Sequence, residues 1–191
     1  MLAPETIVEQ ALRTLAAGGT LLYPTDTIWG IGCDAANADA IEKIYAIKQR
    51  DHSKSMLVLA LQEWVESDSP RLNSLFASPD RPTTVIVSPT ILPSLPAVAA
   101  NLPAADGTVG LRVPRHAFCQ QLLRALGHPI VSTSANFSGQ PSPSAYDKIS
   151  PLLKQRIDYC VEPLAEFASG NSHGSRIVRL ETDGTLTILR D

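Results

Sequence analysis

Three short runs in this chain carry side chains that folding alone does not require: Pro24-Thr25-Asp26-Thr27, Lys48-Gln49-Arg50-Asp51-His52-Ser53-Lys54, and Ser132-Thr133-Ser134-Ala135-Asn136. The first stands between the apolar Leu21-Leu22-Tyr23 and two glycines, Gly30 and Gly32. It reads either as a turn, with Asp26 and Thr27 satisfying backbone groups, or as a row of ligand contacts at the mouth of a strand. The second places Lys48, Arg50 and Lys54 just past a helical pattern. Cations there complement a helix dipole, or they clamp a polyphosphate, Arg gripping oxygens two at a time and Lys supplying a compact charge. The third follows apolar Pro129-Ile130-Val131 with three hydroxyls and a carboxamide, a cap for the next segment or a polar pocket wall.

What is missing narrows the chemistry. There is no G-x-x-x-x-G-K-[ST] loop, and Gly30-Ile31-Gly32-Cys33-Asp34-Ala35 lacks the third glycine of a dinucleotide fingerprint, so a nucleotide would be held another way. His52, His116, His128 and His173 form no H-x-x-x-H pair, which gives no support for a protein-held zinc site. Gly170-Asn171-Ser172-His173-Gly174 fits the nucleophile elbow G-x-S-x-G. The hydrolases that use it run Ser, then acid, then His, and no histidine follows His173.

The elements that must position these runs alternate between helix and strand. Pro4 and Glu5 open an amphipathic helix carrying Ile7, Val8, Ala11, Leu12 and Leu15 and stopped by Gly18-Gly19. Strand Leu21 to Tyr23 follows, then a helix capped by Asn37 or Asp39 and bearing Ile41, Ile44, Tyr45 and Ile47. Strands are expected at Met56 to Leu59, Thr84 to Val87, Val109 to Val113 and Ile130-Val131, and helices around Phe118 to Leu126 and Tyr146 to Leu153. The segment from Pro89 to Pro103 reads as an irregular, exposed excursion, a surface loop or a lid. Strands Arg176 to Leu180 and Thr185 to Leu189 close the chain through a hairpin at Thr182-Asp183-Gly184. The class is α/β with a mixed, twisted sheet, and the polar clusters are expected at strand ends, where ligands bind in open α/β sheets.

Length and charge bound the rest. At 191 residues, 44% hydrophobic and 18% charged, the chain supports one buried core and a single domain over 1–191. A formal net charge of −3 disfavours nucleic-acid binding by bulk electrostatics, so any polyanion bound should be small. Cys33, Cys119 and Cys160 are far apart and odd in number, which fits a reducing compartment better than a disulfide framework. The start of the chain has no basic region followed by an apolar one, and no apolar run reaches bilayer length, so the expectation is a cytoplasmic protein.

Taken together, "YPTDTIWGIGCDA", "IYAIKQRDHSKSMLVLA", "RPTTVIV", "TVGLRVPRHAF", "GHPIVSTSANFSGQPSPSA" and "GSRIV" with "LTILRD" resemble the threonylcarbamoyl-AMP synthase family, the YrdC-like domain. The match spans nearly the whole chain, and K-x-R (Lys48, Arg50) in register with S-x-N (Ser134, Asn136) is that family's signature. The sequence stops where this domain stops in longer members. The resemblance implies an open, twisted mixed sheet with flanking helices and a concave basic pocket. It also implies the reaction, in which L-threonine, bicarbonate or CO2 and ATP give threonylcarbamoyl-AMP and pyrophosphate. The product would pass to a separate transferase complex that modifies adenosine 37 of tRNA, with weak or no direct tRNA binding and no membrane.

By that resemblance Thr27, Arg112, Ser132 and Ser175 face threonine. Arg50, Lys54, Thr108, Ser134, Ser142 and Arg190 face ATP, and Lys48, Arg50, Ser134 and Asn136 form the catalytic tetrad near the phosphates. No protein metal ligand is implied, and Mg²⁺ would arrive with ATP, held mainly through phosphate oxygens. The chain departs from common family residues at Ser55, Leu59, Arg176 and Trp29, read as differences between subgroups. The alternative is a non-catalytic paralogue that binds nucleotide or RNA, but such paralogues disrupt K-x-R and S-A-N, and both are intact here.

Overall fold

The computed structural model describes residues 4–52, 56–77, 81–164, 167, 173–181 and 183–191. Among them the strands are β1 (Leu21–Tyr23), β2 (Gly30–Gly32), β3 (Leu57–Leu59), β4 (Thr83–Val87), β5 (Val109–Arg112), β6 (Ile130–Ser134), β7 (Tyr159–Cys160), β8 (Arg176–Leu180) and β9 (Leu186–Arg190). They form one sheet in the order β7-β1-β2-β6-β3-β5-β4-β8-β9. Pairs β1–β7, β3–β5 and β4–β8 are parallel and the others antiparallel. The helices are α1 (Pro4–Ala16), α2 (Ala38–Lys48), α3 (Pro70–Ala77), α4 (Ala117–Leu126) and α5 (Pro151–Lys154). This is the expected mixed α/β architecture.

Period-2 alternation sends each strand's side chains to two different fates. On one face Leu22, Ile31, Val58, Val85, Leu111, Val131 and Val178 pack with residues of α2, α3 and α5 into one core cluster. On the other, Leu21, Tyr23, Leu59 and Ile130 pack under α1 and α4 in a second cluster. Those two helices cover only part of their face. The remainder, toward β8 and β9, is where the strands present Ser, Thr, Gly and Arg between the aliphatics Leu57, Ile86 and Ile177.

Local signals set most of the boundaries. Asn37 caps α2, its side chain accepting from the Ala40 N–H, and Gln49 ends that helix in the left-handed region at φ 52°. The expected helix from Tyr146 to Leu153 is instead a short 3₁₀ turn over Tyr146–Lys148 followed by α5. Pro151 disfavours helical backbone at Ser150, which splits the element. The Pro89 to Pro103 stretch is irregular as expected but not wholly exposed. Leu92 and Leu102 are buried, and the Ala99 N–H donates to the Ala35 carbonyl at 2.8 Å. It thus packs on the face opposite the uncovered one, which is no place for a lid. The closing hairpin forms with Gly184 at φ +83°, while Thr182 lies outside the described residues. No described helix is long and apolar enough to cross a membrane.

Candidate functional site

The uncovered part of the sheet is a cavity of about 290 Å³. Its floor includes Ser132, Leu57, Gly110 and Ile86, register partners across β6, β3, β5 and β4. Its walls include Thr25, Thr27 and Trp29 at one end and Ser175, Ile177 and Arg190 at the other. The site therefore lies on a sheet face rather than at carboxyl strand ends. A mixed sheet has no common carboxyl edge, so the expectation taken from parallel sheets gives way to the gap that α1 and α4 leave open.

Arg112 closes the buried end and is 4% exposed. Its Nη1 donates to Thr27 Oγ1 at 2.7 Å, and its Nη2 is hydrogen-bonded and ion-paired to Asp26 Oδ1. Thr27 is in turn braced by Thr25, whose hydroxyl lies 3.0 Å from Thr27 Oγ1, accepts from the Thr27 N–H and donates to the Ile28 carbonyl. The polar run P-T-D-T thus builds a rigid socket around one guanidinium. Arg112 Nε is buried without a hydrogen-bond partner, and such an orphan at a cavity marks a place for a ligand acceptor.

Across the cavity, Thr84 Oγ1 and Ser175 Oγ are 2.7 Å apart. The Ser175 carbonyl accepts from Arg190 at Nη2 (2.6 Å) and Nε (3.1 Å), which fixes that guanidinium at the rim. Arg50 reaches the cavity from beyond α2, and Ser134 and Ser142 complete that side. The lining holds Arg50, Arg112 and Arg190 and no carboxylate among the described residues. In a chain of net charge −3 this is a local concentration of positive charge suited to a small polyanion.

The residues assigned by resemblance divide. Thr27, Arg50, Arg112, Ser132, Ser134, Ser142, Ser175 and Arg190 line one cavity. Lys48 and Asn136 stand behind its wall. Lys48 is 1% exposed, and its Nζ donates to the Ser134 carbonyl and, at 2.8 Å, to the Asn136 carbonyl. Burial, and then the Arg50 charge, bring its ammonium down to about 7. It is thus no solvated helix end. The Asn136 carboxamide donates to the Phe137 and Gln140 carbonyls at 3.0 and 2.6 Å. Thr108 is not in the lining, and its hydroxyl donates to Asp106 Oδ1 at 2.7 Å. Lys54, Ser55 and Ser172 lie outside the described residues.

Sequence reasoning left out Asp26 as the partner of Arg112 and Thr84 as the partner of Ser175. A signal was present for Asp26, which stands inside the polar run Pro24 to Thr27, but Thr84 stands in a strand-like Thr83-Thr84-Val85-Ile86-Val87 run that marks no ligand. The two glycines also differ in role. Gly30 lines the cavity, where a Cβ would stand 3.2 Å from Ser132 Oγ. At Gly32 a Cβ would lie 1.8 Å from the Val131 carbonyl oxygen, so its bareness serves strand packing and not a ligand.

Comparison with known proteins gives the family. The Sua5/YciO/YrdC family model, described as "Telomere recombination", matches residues 13–191. The threonylcarbamoyl-AMP synthase of Stenotrophomonas maltophilia strain K279a is 31% identical over 188 aligned residues, covering 87% of this chain and 97% of that protein. The Xanthomonas campestris enzyme of the same name is 34% identical over 160 residues, 79% of this chain and 82% of the other. Among solved structures, E. coli YciO superposes with a TM-score of 0.75 at 24% identity, covering all of this chain and 91% of that one. P. abyssi Sua5 complexed with L-threonine gives 0.77 at 22% identity, this chain spanning 55% of its length. At those identities the two structures speak for the fold alone.

Proposed function

The chain belongs to the Sua5/YciO/YrdC family, and from that premise we propose that it is an L-threonylcarbamoyladenylate synthase, a nucleotidyltransferase that makes threonylcarbamoyl-AMP and pyrophosphate from L-threonine, bicarbonate or CO2, and ATP. The observation that carries the reading is one cavity with a socketed arginine at its buried end and arginines and hydroxyls at its rim. Threonine presents a carboxylate and a triphosphate is a polyanion, and such a cavity offers each group a separate pole.

At the buried pole Arg112 receives the threonine carboxylate, while Thr27 and Ser132 beside it, and Ser175 from across the cavity, offer hydroxyls to the ammonium and side-chain hydroxyl. A site built to pair those groups disfavours amino acids that leave its own polar atoms unmatched, at about 1–3 kcal/mol each. At the rim Arg50, Arg190, Ser134 and Ser142 hold the nucleotide, and Lys54 is assigned there by its place in the motif. Once its ammonium has lost a proton, the amine of threonine bonds to the carbon of CO2 with release of a second proton, or to that of bicarbonate with release of water, to give a carbamate. A carbamate oxygen then bonds to the α-phosphorus as the bond to the β-phosphate bridging oxygen breaks and pyrophosphate departs. Such a step depends on in-line placement and neutralised phosphate charge, not on a protein nucleophile.

Mg²⁺ enters as part of the MgATP substrate. The hydroxyls of Ser134 and Ser142 at the rim are hard oxygen donors that would suit a cation held mainly by phosphate oxygens and water. When bound it neutralises phosphate charge. The product is then taken up by the tRNA threonylcarbamoyl transferase machinery, with little direct contact between this acidic chain and tRNA.

The test is pyrophosphate release from MgATP and bicarbonate with L-threonine, L-serine or no amino acid. Release that requires threonine and bicarbonate is expected, and Arg50→Glu should abolish it together with ATP binding. Retained ATP binding without threonine-dependent release would assign the chain to the non-catalytic paralogues instead.

A further inference from the structure

The motif K-x-R…S-x-N reads as four residues of one kind, yet the fold separates them into two pairs. Arg50 and Ser134 line the cavity, whereas Lys48 and Asn136 do not. The Lys48 ammonium is spent on two main-chain carbonyls, those of Ser134 and Asn136. Its own carbonyl accepts from the Ser138 N–H at 2.9 Å. The segment that leaves β6 is therefore pinned to the end of α2 both by the Lys48 side chain and by its backbone. Asn136 fixes the next turn, its carboxamide spanning the Phe137 and Gln140 carbonyls. This segment has no regular structure from Ala135 to Pro141, yet it must deliver Ser142 to the cavity beside Ser134. An irregular backbone satisfies its own carbonyls only in part, here through the Asn136 and Gln140 N–H groups, which reach the Ser134 and Phe137 carbonyls at 2.9 and 3.1 Å, and the Lys48 and Asn136 side chains supply the rest.

We infer that Lys48 and Asn136 are positioning residues that clamp residues 134–142 against the end of α2, holding Ser134 and Ser142 where the nucleotide binds, and that neither touches a substrate. The inference rests on the ATP reading for the role of the two serines, but the clamp itself is a property of the free protein. A buried cation with no solvent contact is poorly placed to meet a phosphate. It is well placed to donate to two inward-facing carbonyls, that of Asn136 and that of Ser134, the latter also accepting from the Asn136 N–H at 2.9 Å.

The experiment is amide hydrogen exchange of the nucleotide-free protein together with steady-state kinetics, comparing the native chain with Lys48→Met, Lys48→Gln and Asn136→Ala. Methionine keeps the length and removes the donors, while glutamine restores two N–H groups without charge. In Lys48→Met, amides of 135–142 should exchange at least ~10-fold faster while those of α4 are unchanged. KM for ATP should rise by a similar factor with KM for threonine nearly constant, and Lys48→Gln should recover part of both. Should Lys48→Met fail to fold, Asn136→Ala, which removes the other half of the clamp, should show the same pattern. Unchanged exchange accompanied by lost ATP affinity would overturn the clamp in favour of direct contact with the nucleotide, and unchanged exchange with unchanged kinetics would leave Lys48 no role in the segment. If the native chain shows no threonine-dependent release, the functional reading fails, and the exchange comparison still decides the clamp.

Discussion

At the scale of single residues, two buried charges behave in opposite ways. Arg112 has a carboxylate partner in Asp26, whose side chain is 15% exposed, so the pair is inside the protein. Removing one member of such a pair leaves the other uncompensated, at about 3–5 kcal/mol. Asp26→Ala should lower stability by roughly 3 kcal/mol, and it frees Arg112 to leave its socket. Thermal unfolding would show the first effect, and a rise in KM for threonine of at least ~10-fold at unchanged KM for ATP would show the second, about 1.4 kcal/mol of lost binding. Equal rises for both substrates would argue against Asp26 acting through Arg112. Among the described residues Lys48 has no carboxylate partner, and its ammonium is brought down from 10.5 to about 7 by burial and then by Arg50. Below pH 7 the lysine is protonated folded and unfolded, and the full penalty of burying the charge is felt. Between about pH 7 and 10.5 only the unfolded chain retains the proton, so this side chain's contribution to stability grows as pH rises. Comparing the melting temperatures of the native chain and Lys48→Met at pH 6 and pH 9 isolates that contribution. The native chain should gain on the variant at the higher pH, and a constant difference would show that Lys48 titrates normally.

At the scale of elements, β2 shows both the reach and the limit of sequence reading. Its two glycines read as breakers, and nothing in Gly30-Ile31-Gly32 has the branched, alternating look of a strand. What makes it one is its neighbour, since the Val131 carbonyl occupies the space a Cβ at position 32 would need. Gly32→Ala should therefore cost at least about 3 kcal/mol, the upper end for overpacking, because backbone and not a flexible side chain must yield. Gly30→Ala meets only the tips of Ser132 and Tyr23 at 3.2 and 3.3 Å and should fold nearly as well while binding threonine more weakly. Urea titration of the two variants separates the cases, and equal midpoints would refute the packing account. Elements with their own local signal were legible: strand Leu21 to Tyr23, the Asn37 cap of α2, and the hairpin closed by Gly184. Elements that owe their existence to tertiary packing, β2 and the two-residue β7 above all, were not. The site followed the same rule. Thr27, Arg50, Ser132 and Ser134 belong to runs of unusual composition, which a single chain reveals, whereas Ser142, Ser175 and Arg190 were reached only through the family resemblance. The retreat of Lys48 and Asn136 behind the wall depends on two chain segments meeting, which no spacing encodes.

At the scale of the molecule, the cavity lies across the sheet and not within any one unit of it. Its lining draws on residues from Thr25 to Arg190, carried by β2, β6, β3, β5, β4, β8 and β9 in spatial order. The buried pole sits beside the cluster under α1 and α4, and the far rim sits on the last hairpin, where β9 is largely exposed. A ligand that touches only one pole would stabilise only the strands near it, whereas threonine and nucleotide bound together would tie the well-packed end of the sheet to its thin edge. Each ligand at about 100 times its Kd adds about 2.7 kcal/mol if it binds only the folded chain, which for a domain of this size is a rise of about 5–10 °C. Threonine and a non-hydrolysable ATP analogue should each give such a shift, and the pair should exceed the sum, because the first ligand orders the wall that the second must meet. Hydrogen exchange in β8 and β9 should slow chiefly with the nucleotide, whose arginine contact comes from Arg190. Strictly additive shifts, with β9 unprotected by nucleotide, would mean that the two poles work as independent sites and that Arg190 is not part of the nucleotide's grip.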